Sequence, residues 1–136
     1  LWNRLMAYVV QHGDRIKRIK DEAVMYELHV YYEDTPRTGE FEVFVGLEID
    51  AVENLPLELS VKFLPPATYA VFTLRGEQIA SDWPILVLTD WLPQAGYESD
   101  FAYHLQRYDE RFKGLDRLKE SVLDVYIPVK RPPSAA

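Results

Sequence analysis

Two parts of this chain repeat one another. Tyr26-x-Leu28-x-x-Tyr31 returns as Tyr103-x-Leu105-x-x-Tyr108, and Phe41-Glu42-Val43-Phe44-Val45-Gly46 lines up position by position with Leu123-Asp124-Val125-Tyr126-Ile127-Pro128. Each match follows a Trp-initiated helical pattern. A chain built this way is constrained to an α+β fold made of two β-α-β-β units. The first repeat covers about residues 1–50 and the second about 57–130. In the second unit the strand pattern Thr68 to Leu74 precedes the helix. The first unit has no counterpart, so its lead strand is expected upstream of Leu1, leaving a sheet edge or part of the core exposed.

The rest of the chain fits between these anchors. Leu1, Leu5, Tyr8 and Val9 recur at helical spacing up to about Gln11, with His12-Gly13 as a stop. Val24 to Tyr32 and Phe41 to Ile49 are β-rich and joined by the turn cluster Thr35-Pro36-Arg37-Thr38-Gly39, which predicts a hairpin. Leu57, Leu59, Val61 and Phe63 alternate with polar neighbours, which predicts a half-buried strand before Pro65-Pro66, either a crossover strand or the start of the second unit's lead strand. Ser81 or Asp82 caps a helix that tolerates Pro84 in its first turn and runs to about Leu92. Phe101 to Tyr108 and Val122 to Val129 complete the strands, and Asp109-Glu110-Arg111 reads as a solvated turn. The tail, 131–136, is expected to be flexible.

At 136 residues the length implies one domain, about 1–130, and 48% hydrophobic content supplies a core for it. A formal charge of −7 argues against direct nucleic-acid binding, which depends on clustered Lys and Arg releasing counterions from phosphates. No apolar run approaches the roughly 20 residues that span a bilayer, so no membrane association is expected. The absence of Cys removes disulfides and thiolate metal sites, and three scattered His lack ligand spacing. The expectations are therefore a cytoplasmic protein with no cofactor and no metal.

Two related units side by side predict a ligand cleft at their pseudo-twofold interface. Strand parity sorts its lining. Phe101, Tyr103 and Leu105 are expected to point towards the helices. His104, Gln106 and Tyr108 point the other way, joined through the repeat by Glu27, His29 and Tyr31. In the neighbouring strands Val43, Val45, Val125 and Ile127 point inward and leave Phe44 and Tyr126 towards the cleft. Trp91, at the end of the second helix, forms a wall. Such an aromatic surface with few polar groups suits a flat, partly apolar molecule held by stacking.

The stretch from Leu64-Pro65-Pro66-Ala67-Thr68-Tyr69-Ala70-Val71-Phe72 through Arg75-Gly76, Trp91-Leu92-Pro93, Gly96-Tyr97 and Leu105-Gln106-Arg107-Tyr108-Asp109-Glu110-Arg111-Phe112 to Asp124-Val125-Tyr126-Ile127-Pro128-Val129 resembles the GyrI-like, or AraC-type, effector-binding domain of bacteria, which includes stand-alone members of the integron-cassette type. The resemblance covers most of the chain from Trp2 onward. It implies the duplicated architecture, an SHS2-type repeat with an antiparallel sheet, and a non-catalytic module that captures an amphipathic, aromatic or cationic effector. The captured compound would be sequestered or signalled to a transcription regulator or DNA-binding module outside these residues, by a monomer or homodimer. The family usually carries Glu where this chain has Gln106, so the resemblance also implies a weaker preference for cations here, unless Glu27 or another acid supplies the charge. Some proteins of this fold resemble hydrolases of strained cyclopropane-type compounds. A third reading is an acidic inhibitor of a DNA-acting enzyme.

Overall fold

The computed structural model describes residues 1–100 and 102–131. It is an α+β fold: a six-stranded antiparallel sheet in the order β2-β1-β5-β6-β3, with the short β4 also paired to β6. The strands are β1 (Met25–Tyr31), β2 (Phe41–Gly46), β3 (Thr68–Arg75), β4 (Glu98–Ser99), β5 (Tyr103–Tyr108) and β6 (Val122–Lys130). Helix α1 spans Trp2–His12, close to its expected bounds. The second helix begins as an α-helix at Trp83–Leu86, widens to a π-helix over Val87–Trp91 and returns to α over Leu92–Gln94. No helix among the described residues is long and apolar enough to cross a membrane.

The expected hairpin is present. A one-turn helix, Thr35–Thr38, joins β1 to β2, and Gly39 closes it at φ 73°, a left-handed conformation that glycine adopts without a Cβ penalty. Tyr26 pairs with Gly46 and Tyr31 with Phe41, so the two strands run in register to the turn. β5 and β6 form a second antiparallel pair, in which Leu105 lies opposite Tyr126. The two pairs meet where β1 hydrogen-bonds to β5, with Leu28 opposite Leu105.

The segment 57–64 is a correction. It joins no ladder, Leu57 is fully exposed and Phe63 is 81% exposed. The connection must carry the chain from β2 at one edge of the sheet to β3 at the other. An ion pair from Lys62 to Glu42 ties part of it beside β2, and Pro56, Pro65 and Pro66 at its ends offer no N–H to a ladder. Alternating hydrophobicity survives only as the half-burial of Leu59 and Val61.

Core formation is lopsided. Leu74, Trp83, Val87, Leu92, Leu123, Val125, Ile127 and Val129 form one buried cluster, drawn entirely from the second half of the chain. Leu74 opposes Leu123 and Phe72 opposes Val125, which places this cluster between β3, β6 and the second helix. By contrast α1 buries no residue completely, and Met6 and Val10 lie in solvent.

The turn after β5 is a second correction. Asp109 is not solvated: its side chain is 6% exposed and accepts from Arg107 at 2.6 Å and from Arg111 through both Nε and Nη2. Arg111 also donates to Asp124 on β6 at 2.5 Å. A paired charge can be buried here because both of its oxygens meet guanidinium donors. Phe101, expected on the helix side, and 132–136 of the expected tail lie outside the described residues. Arg131 sits over the Tyr97 ring, 5.7 Å from its centroid.

Candidate ligand-binding site

Which face of the sheet the helices cover is decided by two tryptophans. Trp2 opens α1 and donates from Nε1 to Glu27 Oε1 at 2.7 Å, and its ring meets Tyr108 edge-on at 5.2 Å. Trp83 opens the second helix and stands edge-on to His104 at 5.3 Å. The covered face is therefore the one bearing Glu27, His29, Tyr31, His104, Gln106 and Tyr108. Tyr103 and Leu105 lie on the other side, where Tyr103 shares a hydroxyl hydrogen bond with Tyr69 at 2.5 Å. The expected orientation of β5 is thus reversed. A polar strand face can lie beneath helices when its groups satisfy one another, and among the described residues no buried side-chain nitrogen or oxygen lacks a partner.

The same geometry separates the candidate residues. Directly paired residues in an antiparallel sheet share a face. Gln106 opposes both Glu27 and Val125, whereas Phe44 opposes Leu28 and Tyr126 opposes Leu105. Phe44 and Tyr126 are therefore on the face away from Gln106, not beside it. Parity within each strand was sound, but the phase between strands depended on a register absent from the residue pattern. Trp91 is on the covered face, stacked on Phe72 of β3 at 5.7 Å and 30°. That places it two strands from β5, roughly 10 Å across the sheet, so Trp83 rather than Trp91 walls the cluster.

Glu27, His29, Tyr31, Gln106 and Tyr108 do come together with His104, which strand parity puts on their side, and they are joined by Trp2, Phe41 and Trp83, which were not among the candidates. Glu27 Oε2 and His29 Nε2 are 2.7 Å apart, and each side chain is 18% exposed. The hydrogen bond from His29, with that of Trp2 adding to it, holds the Glu27 carboxyl below the usual carboxylate range. Tyr31 Oη lies 2.7 Å from His104 Nδ1, and Gln106 Nε2 lies 3.1 Å from His104 Nε2. An amide nitrogen only donates, so His104 accepts at Nε2, carries its proton on Nδ1 and donates it to Tyr31. Burial pushes His104 down to about 4, which keeps the ring neutral. Tyr108 Oη donates to Gln106 Oε1 at 2.7 Å, so both ends of the amide are bonded.

This arrangement occupies the expected cleft with the molecule's own side chains. Gln106 and His104 are buried, and two concavities lie elsewhere, one beside 14–17 and 54–58, the other beside 66–68 and 128–129. Trp2 lies against Glu27 through its indole N–H. Replacing Trp2 with Ala should release α1, whose own apolar burial is slight. Amide-exchange protection over residues 2–12 should fall towards that of an isolated helix, with about 1–2 kcal/mol of stability lost. Unchanged protection would show that other contacts hold α1 down. The signal that could have found both tryptophans was already in the repeat, since each opens the helix of its unit.

The fold and this cluster define an α+β domain whose polar residues are gathered on the helix-covered face of one sheet, with no group of three or more His, Asp or Glu placed to hold a metal among the described residues. The family model described as integron-associated effector binding protein matches residues 2–129, and the chain belongs to that family. This agrees with the resemblance to GyrI-like effector-binding domains and points to small-molecule binding. No curated protein matches the chain.

Proposed function

We propose that this protein is a non-catalytic effector-binding domain that takes up a flat amphipathic molecule at the Trp2, Glu27, His29, Gln106 and Tyr108 cluster, displacing Trp2 as it enters. The observation that carries the reading is the half-buried Glu27 carboxylate directly opposite Gln106. It returns to the site the negative charge that Gln106 lacks, one strand away. Aromatic rings at Trp2 and Tyr108 supply stacking surface.

The sheet register supports the two-unit reading of this site. Leu28 and Leu105 are equivalent in the repeat and are also opposite one another, as a twofold axis through that pair requires. Leu28 opposes Phe44 just as Leu105 opposes Tyr126, and Trp2 meets Glu27 just as Trp83 meets His104. Under this symmetry Glu27 and His104 are equivalent positions carrying different chemistry, so the ligand would be met by a carboxylate from one unit and an imidazole from the other. Uptake serves sequestration or signalling to a regulator outside these residues.

Tryptophan fluorescence titrated with cationic and neutral aromatic compounds should show saturable quenching. Gln106→Glu places a second carboxylate beside the first and should improve cation affinity about tenfold over neutral ligands, equivalent to about 1.4 kcal/mol. Equal gains for neutral compounds would overturn the electrostatic argument, and an absence of saturable quenching throughout would overturn the site.

A further inference from the structure

Both oxygens of Glu27 are already engaged, Oε1 by Trp2 Nε1 and Oε2 by His29 Nε2. A carboxylate only accepts, so the proton of that second bond sits on His29 Nε2. In the neutral ring Nδ1 is then a bare acceptor, and the carboxylate behind the imidazole strengthens it. Among the described residues nothing bonds to Nδ1, and no unpartnered side-chain nitrogen or oxygen is fully buried, so this atom of a side chain 18% exposed is not sealed from solvent. The ring is held on both sides, stacked on Phe41 at 5.2 Å and 24° and against His104 at 4.5 Å. Phe41 is 44% exposed and Val43, opposite His29, is 37% exposed, making an apolar shelf on β2 beside the His29 ring.

We infer that His29 Nδ1 is the recognition atom of the site and that the site selects ligands presenting an N–H donor at the rim of a flat aromatic body. The inference rests on the proposed binding function and specifies its ligand class. Besides the charge it brings, Glu27 has a positioning role: through its bond to His29 it fixes the tautomer and orientation of the ring. A cation attracted by Glu27 charge alone would be accepted whether or not it carried an N–H. A cation docked on Nδ1 would be rejected once that hydrogen is replaced by methyl.

The test compares acridine orange, a cation at neutral pH whose single ring N–H is its only donor, with its N-methylated quaternary derivative, which has the same charge and flat body. Wild-type protein should bind acridine orange at least about tenfold more tightly, and the ¹⁵N resonance of His29 Nδ1 should move with acridine orange and not with the quaternary dye. The preference should vanish in His29→Phe. Equal saturable binding of both dyes, or a preference that survives in His29→Phe, would overturn the inference and leave the binding site standing. Failure of both dyes to bind would overturn the two together. The wild-type ¹⁵N comparison decides the matter even if His29→Phe does not fold.

Discussion

Replacing Trp83 with Ala should cost the fold about 3–5 kcal/mol, the range for truncating a large buried aromatic. Trp83 is 7% exposed, belongs to the main core cluster and covers His104. Two effects should appear together in denaturant unfolding followed as a function of pH. Wild-type stability should decline as pH falls from 6.5 to about 4, because the unfolded chain takes up a proton on His104 that the folded chain refuses. The sign follows from the buried neutral ring: protons favour the unfolded state throughout that window, and the loss can reach the order of 3 kcal/mol. In Trp83→Ala water reaches the imidazole, so the variant should be less stable at neutral pH yet lose less on acidification. Parallel pH profiles for the two proteins would show that the tryptophan does not desolvate His104.

Asp109→Ala should lower stability by about 3 kcal/mol at neutral pH, because Arg107 and Arg111 lose the acceptor that allowed them to be partly buried. The effect should be weaker at strongly acid pH. Hydrogen bonds and charge from Arg111, joined by Arg107, hold the Asp109 carboxyl below its ordinary value of 3.8, so its stabilising contribution is present above that value and disappears as pH falls through the lower folded one. Wild type and variant should therefore converge in acid. A constant difference down to the lowest pH at which the protein folds would mean that the side chain matters for packing rather than charge.

Much of the architecture was legible because it depends on period and punctuation. The apolar spacing of α1, the Pro-Arg-Thr-Gly turn between β1 and β2, and the alternation of β3 and β6 each declare themselves within a few residues. The 57–64 segment misled for the same reason. Its alternation is that of a strand, but a ladder needs a neighbour, and the path from one sheet edge to the other left it without one. Asp109 misled in the opposite direction: a short acidic-basic run looks like a wet turn until Arg111 is seen reaching Asp124 on β6.

The candidate site divides along the same line. Glu27, His29, Tyr31, Gln106 and Tyr108 could be grouped from the repeat and the two-residue period, because side-chain alternation within a strand is a local property of the backbone. Whether that group met helix or solvent, and whether Phe44 and Tyr126 joined it, depended on where Trp2 and Trp83 landed and on Gln106 pairing with Val125. Local periodicity determined which residues travel together; register and helix docking decided which company they keep. Those depend on contacts across tens of residues of chain, where shifting the pairing by one position turns a whole strand over.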